Sequence, residues 1–257
     1  MRPLPAFLSG RPNLCPDVKF LGTPPNPGIL SQFHAVPEHC CLPIPDAMTL
    51  AEAALFEPLA VGLHAVHLAR LEVGDHVAVL GCGPIGLSCA YAARLAGAAT
   101  VRVTDPVPER AAFAEKWLGT AIMDPRAGID PVRWIRDATG GHGADAVFEC
   151  AGTQESLDQC CLAVRRGGKA LLVGIPAGDR LSIPMHECRR RELAMLHVRR
   201  SNGESGAALR LWDEKRLDVK PLATHFFGIE RSQAAFELVS LRADGVIRAI
   251  IWPNGAA

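Results

Sequence analysis

The tightest constraint on this chain is the stretch His76–Asp105, HVAVLGCGPIGLSCAYAARLAGAATVRVTD. An apolar run, Val77–Leu80, feeds into Gly81-Cys82-Gly83-Pro84-Ile85-Gly86. A helical pattern follows, then a β-rich run, Thr100–Thr104, closed by Asp105. With 24 glycines in the chain, a GxGxxG alone would be weak. Set between a strand and a helix, with an acidic residue ending the next strand, it predicts a βαβ unit that cradles a dinucleotide. Gly81 permits the tight turn, Gly83 lets bare backbone approach a pyrophosphate, and Gly86 lets helix and strand pack closely. Pro84 suits a first helical turn, where its missing N–H is no loss. The helix N-terminus then offers free N–H groups to the phosphates. Asp105 would accept from the ribose hydroxyls and repel a 2′-phosphate, so the expected cofactor is NAD rather than NADP. The alternative is a glycine-rich turn in an α/β protein that binds nothing.

Composition narrows the class. Basic and acidic residues balance at 27 each, so no long-range field recruits nucleic acid or an anionic membrane. One tyrosine and few aromatics argue against a base-stacking surface. Nine cysteines without a CxxC repeat read as reduced core thiols of a cytoplasmic protein. The proline-bearing start, MRPLPAFLSG, does not read as a signal peptide. The longest uncharged run, Val77–Ala93, is split by glycines and a proline, so no membrane span is expected.

Read in order, residues 1–48 are proline-rich, with one possible strand at Ile29–Val36. Thr49-Leu50-Ala51-Glu52 has the form of a capping box opening a helix to Phe56. Pro58 is expected to interrupt it before a second helix over Leu59–Leu71. After the βαβ unit come a helix at Pro108–Leu118, a strand at Ile122-Met123 and a helix from Asp130 to Thr139. A strand at Asp145–Cys150, a Thr153-capped helix, and strands at Lys169–Gly174 and Glu192–Val198 complete the alternation. Such alternation means an α/β fold with a doubly wound parallel sheet. From Ser201 the rhythm breaks into a helix at Ser205–Lys215, a strand at His225–Ile229, a helix at Ser232–Leu241 and a strand at Val246–Trp252. These pieces are expected to return to residues 1–57 as a second, discontinuous unit.

Several strings together resemble the medium-chain dehydrogenase/reductase superfamily, and within it the sorbitol (L-iditol) dehydrogenase group. They are GRPNLCPDVKFLGTPP (Gly10–Pro25), ALFEPLAVGLHA (Ala54–Ala65), VAVLGCGPIGL (Val77–Leu87), VTD (Val103–Asp105), FECAG (Phe148–Gly152), LLVGIP (Leu171–Pro176) and VKPLATHFF (Val219–Phe227). The resemblance implies NAD-dependent oxidation of a secondary alcohol on a polyol to a ketone, assisted by zinc. It also implies a Rossmann domain, here residues 58–200, and a GroES-like β-rich catalytic domain built from both ends. Residues 1–57 would be a remnant of that domain and 201–257 its C-terminal return. Carried over by position, Glu57 is the zinc-side glutamate, and Ile85, Asp105 and Arg110 contact the cofactor. Val173-Gly174-Ile175 passes under the nicotinamide, and His197-Val198-Arg199 is the last cofactor segment, with Arg199 also facing substrate. Where the family often has tyrosine next, this chain has Arg200. Relatives assemble as dimers or tetramers, which puts a homo-oligomeric edge near Glu192–Val198.

The resemblance departs at the front. The family's other zinc ligands come from a GxCGSD-like string and a GHE string that precede the segment matched here. The chain is thus expected to lack about the first third of the family's fold, and the His186-Glu187 pair is expected in a polar loop. Counting back from Cys15 puts Met1, Leu4 and Phe7 where a structural-zinc lobe would have cysteines, and Cys40-Cys41 read as loop thiols beside His34 and His39. Three functions stay open: a polyol dehydrogenase impaired by the missing ligands, an NAD-binding module without dehydrogenase activity, and a threonine-type amino-alcohol dehydrogenase.

Overall fold

A computed structural model describes residues 5–255. Met1 and Leu4, two positions of the cysteine-lobe comparison, lie outside the described residues. The chain separates into two compact units, residues 57–205 and the two ends up to Phe56 and from Gly206.

The first end carries one short helix, α1 (Pro5–Leu8), and otherwise runs as turns and loops to α2 (Leu50–Ala53). No strand forms at 29–36, contrary to the sequence expectation; the stretch runs as loop between Pro27 and Pro37, neither of which has an N–H to give to a ladder. The capping box is present: Thr49 Oγ1 accepts from Glu52 N at 3.2 Å, and Thr49 N donates to the Glu52 carboxylate at 3.0 Å. The following helix, α3 (Phe56–Ala69), contains Pro58 instead of being broken by it. Pro58 falls in the first turn, where no intrahelical donor is lost, and the break lies at Ala54-Leu55.

The 57–205 unit is a six-stranded, all-parallel sheet. Its elements are β1 (His76–Leu80), α4 (Pro84–Leu95), β2 (Thr100–Thr104), α5 (Pro108–Leu118), β3 (Ala121–Met123), α6 (Pro131–Asp137), β4 (Ala144–Glu149), α7 (Gln154–Ala163), β5 (Val164–Leu172), α8 (Met185–Arg190) and β6 (Ala194–His197). The strand order is β3-β2-β1-β4-β5-β6. This is the Rossmann order, with its reversal between β1 and β4. Central strands buried on both faces read as continuous apolar runs: Val77, Ala78, Val79 and Leu80 are all sealed from solvent. One face packs Ala78, Leu80, Val147 and Ala170 against Ile135, Cys160 and Ala163 of α6 and α7. On α3, a Cβ added to Gly62 would lie 2.4 Å from the Ser88 carbonyl carbon of α4, so these two helices touch backbone to backbone.

His186 and Glu187 lie on a helix, α8, rather than in the expected loop. Cys188 on its inner side packs with Leu157 and Cys161, and six residues are too few to show that periodicity against a polar outer face.

The remaining elements are α9 (Ser205–Asp213), β7 (Ala223–Gly228), α10 (Ser232–Leu241) and β8 (Arg248–Trp252). β7 and β8 form a separate two-stranded parallel sheet. Trp212 Nε1 donates to Glu52 at 3.3 Å, and Asn254 reaches the Gln32 carbonyl at 3.2 Å, tying the two chain ends into one unit.

Candidate functional site

The site forms where the strand order reverses, outside the carboxyl ends of β1 and β4. Gly81 leaves β1 with φ +96°, a conformation costly for any other residue, and its N–H donates to Thr104 O at 2.7 Å. A Cβ on Gly86 would sit 1.8 Å from the Gly81 carbonyl oxygen. The turn can therefore close onto α4 only with glycine at both positions. Pro84 and Ile85 occupy the first turn of α4, as the sequence implied.

Asp105 ends β2 and is 4 % exposed. Its carboxylate accepts from Cys82 N at 2.7 Å and Val107 N at 2.8 Å, joining the glycine turn to the strand beside it. A carboxylate has about four acceptor positions, and these two bonds leave about two of them unused. Burial, reinforced by the Asp105 charge, pushes the Cys82 thiol far above the ordinary range, so Cys82 is an inert packing residue.

Arg110, in the first turn of α5, brings Nη1 to 3.5 Å of the position a Cβ on Gly83 would take. Its Nε is buried without a hydrogen-bond partner. A guanidinium that reaches bare backbone with one end and keeps a donor unpaired suits an anionic ligand passing over Gly83. The residues fit a dinucleotide on this observation: an open cradle at Gly83, spare acceptor positions on Asp105 and a spare donor on Arg110.

The opposite rim comes from β4, β5 and β6. Val173 and Gly174 both donate to Glu149 O, at 2.9 and 2.8 Å, and Ile175 projects fully exposed beyond them. Gly152, at φ +70°, packs so tightly on Ile175 that an added Cβ would meet its carbonyl oxygen at 2.6 Å. Val198 N reaches Leu172 O at 2.9 Å, which places His197-Val198-Arg199 at the exit of the edge strand beside this rim.

One residue of the site escaped sequence reasoning. Glu149 is buried, and its Oε1 accepts from Ala151 N at 2.8 Å, Gly152 N at 2.7 Å and Ser156 Oγ at 2.7 Å. It knots the carboxyl end of β4 so that Gly152 can approach Ile175. The available signal was an acid at the end of an apolar strand, DAVFEC, where a charge is costly unless fully hydrogen-bonded.

The metal side differs. Glu57 is an exposed residue in the first turn of α3, and its charge acts on Arg200. The Arg200 guanidinium is held below its usual range by burial and then by Arg199, with Glu57 pulling the other way. Arg200 also has φ +54°, as the chain turns after β6. Catalytic zinc takes three protein ligands, and no group of three His, Cys, Asp or Glu close enough to share an ion occurs among the described residues. The charge that Glu57 meets is the Arg200 guanidinium, a cation, which does not fit a shared zinc ion. Cys15 is buried, Cys40 and Cys41 are exposed, and all three are free thiols.

A second carboxylate holds the segment after β6. Glu204 accepts from His64 Nδ1 at 2.8 Å and lies 3.4 Å from His67 Nδ1, both on α3, and it also accepts from Asn202 N. Burial acts to raise its pKa, yet the bonds from Asn202 and His64 prevail and hold it below the ordinary carboxylate range.

Comparison with known proteins gives a consistent picture. Residues 84–214 match the family model described as zinc-binding dehydrogenase. The chain is 33% identical to the sorbitol dehydrogenase of Bacillus subtilis strain 168, over 97% of this chain and 70% of that protein. Among solved structures, an Escherichia coli oxidoreductase/dehydrogenase of unknown specificity superposes with a TM-score of 0.91 at 33% identity, covering 96% of this chain and 71% of that one. A zinc-binding dehydrogenase from Sinorhizobium meliloti 1021, bound to NADP, gives 0.88 at 29% identity, covering 97% and 73%.

Proposed function

The chain belongs to the zinc-binding dehydrogenase family, and we propose on that premise that it binds NAD(H) and serves the oxidation of a secondary alcohol on a polyol. NAD(P) and zinc are the cofactors of this family. The observation that carries the reading is the buried Asp105 carboxylate, fixed by Cys82 N and Val107 N beside the bare Gly83 backbone.

In this reading Gly81, Gly83, Pro84, Ile85 and Gly86 take the pyrophosphate. Asp105 holds the ribose hydroxyls, and its charge disfavours a 2′-phosphate. Arg110 covers the adenine side. Val173-Gly174-Ile175 supports the nicotinamide, and His197-Val198-Arg199 closes the far rim, with Arg199 turned to substrate. Bound NAD would supply the hydride acceptor. Glu57 is the family's zinc-side glutamate by position, and its partners in a zinc centre are not among the described residues.

The test is a titration of the purified chain with NADH and NADPH, followed by nicotinamide fluorescence. NADH is expected to bind more tightly than NADPH. Asp105→Ala should weaken NADH by about tenfold or more, the scale of one lost charged hydrogen-bonding group. Equal affinities for the two cofactors, unchanged by Asp105→Ala, would sink the assignment. A second reading, an NAD-binding module without turnover, is favoured by the Arg200 guanidinium whose charge Glu57 meets. NADH binding with no sorbitol-dependent reduction of NAD by zinc-supplemented chain would select it.

A further inference from the structure

At the opposite end of the parallel sheet from the glycine turn, where β4 and β5 begin, lies a cleft of about 450 Å³. It is lined by Arg136, Arg165, Arg166 and Arg191 with His142, and the lining holds one carboxylate, Glu187. The guanidinium groups arrive from three separate places: α6, the start of β5, and the residue after α8. We propose that this cleft is a binding site for a phosphate-bearing anion, separate from the dinucleotide cradle.

The hydrogen-bond partners of these arginines explain their positions without neutralising them. Arg191 is buried and donates to three main-chain carbonyls, Cys161 O and Leu162 O at 3.1 Å and Val164 O. Arg136 donates to Leu162 O at 2.8 Å, and Arg166 to Arg190 O at 3.3 Å. All of these acceptors are neutral. Arg165 alone has a close carboxylate, Asp145 at 2.5 Å, and Glu187 is spent partly on Arg190 at 3.7 Å.

Two observations show charge in search of an acceptor. Arg191 is held below the usual guanidinium range by burial and then by Arg136, with Glu187 pulling the other way and Arg166 adding to the repulsion. Arg136 Nε is buried and has no hydrogen-bond partner. Planar guanidinium forks match phosphate oxygens two at a time, and a dianion would relieve the repulsion that neutral carbonyls leave in place. The six residues of β4, at about 3.3 Å each, put roughly 20 Å between this cleft and the Glu149 end of the sheet. Occupancy of one site therefore does not block the other.

The test uses the whole chain and inorganic pyrophosphate, titrated by calorimetry, with NADH fluorescence run in parallel. Arg166→Gln changes an exposed side chain and Glu187→Gln a half-exposed one, and neither belongs to the buried core. The first is expected to weaken pyrophosphate about tenfold, and the second to tighten it several-fold by removing the one lining carboxylate. Neither should change the NADH titration. Opposite signs from two lining residues are what mere loss of fold could not produce. Absence of binding at millimolar pyrophosphate, indifference to both substitutions, or displacement of pyrophosphate by saturating NADH would each overturn the proposal.

Discussion

A carboxylate in a protein interior is costly unless it is hydrogen-bonded, and three acids of the 57–205 unit meet that condition differently. Asp105 ties two strand ends together while keeping acceptor capacity, Glu149 knots a single turn, and Glu204 fastens the segment after β6 to α3. Glu204 makes a pH prediction. Its folded pKa lies below the unfolded one, so the stability it contributes is fully present above about pH 4.3 and is lost as pH falls through the folded value. Glu204→Gln should lower stability by about 1–3 kcal/mol at pH 7. The gap in melting temperature between wild type and variant should close as pH is lowered from 5 toward 3. A gap of constant size across that range would show that ionisation of Glu204 contributes nothing. At this scale the sequence singled out Asp105 by its spacing from a glycine turn, and the structure joins the two through Cys82 N. It did not reveal Glu149 or Glu204, whose partners are main-chain N–H groups at a turn and histidines 140 and 137 positions away.

Among the elements, the βαβ unit was legible because every local signal agrees. The apolar run, the glycines, Pro84 and the β-branched Val101 and Val103 all favour the same conformation. The same consistency gave α5, with Pro108 in its first turn and Gly119 in the left-handed conformation after its end. Pro58 misled as a helix breaker, since the sequence shows a proline but not which turn it will occupy. α8 was missed because a six-residue helix buries one side chain, Cys188, and shows no period. Gly62 was visible on α3, but nothing in the sequence said that α4 would pass within backbone contact of it. Gly62→Ala is therefore expected to cost about 1–3 kcal/mol through overpacking on Ser88. A thermal melt by far-ultraviolet circular dichroism should show a drop of several degrees. Gly178→Ala is the control, with open space around it and no drop expected. A Gly62→Ala melt indistinguishable from wild type would mean that α3 and α4 separate at no cost.

For the molecule as a whole, the two units carry different surfaces. The 57–205 unit seals the central strands of its sheet, whereas the unit formed by the chain ends leaves Phe33, Leu50, Phe226, Phe236 and Leu241 more than half exposed. Within that unit Met48, Leu50, Phe226 and Trp252 border an apolar groove of about 610 Å³. Exposed apolar surface on this scale binds hydrophobic dyes and promotes association, so the purified chain is expected to enhance 8-anilinonaphthalene-1-sulfonate fluorescence in its native state. Metal content is the second whole-molecule expectation. With no three-donor group among the described residues, the chain after dialysis should carry negligible zinc by mass spectrometry, and tight stoichiometric zinc would refute the donor assignment. Among the described residues no helix is long and apolar enough to cross a membrane. The sequence by itself determined the alternating α/β order, the nucleotide turn and its acidic partner, because each rests on neighbours along the chain whose spacing the backbone fixes. Only the tertiary structure decided what Asp105 holds, which carboxylates are buried, and that arginines from α6, β5 and the turn after α8 share one cleft. Those facts depend on which strands the sheet places side by side, and the order β3-β2-β1-β4-β5-β6 is set by the packing of both faces, not by any local stretch of residues.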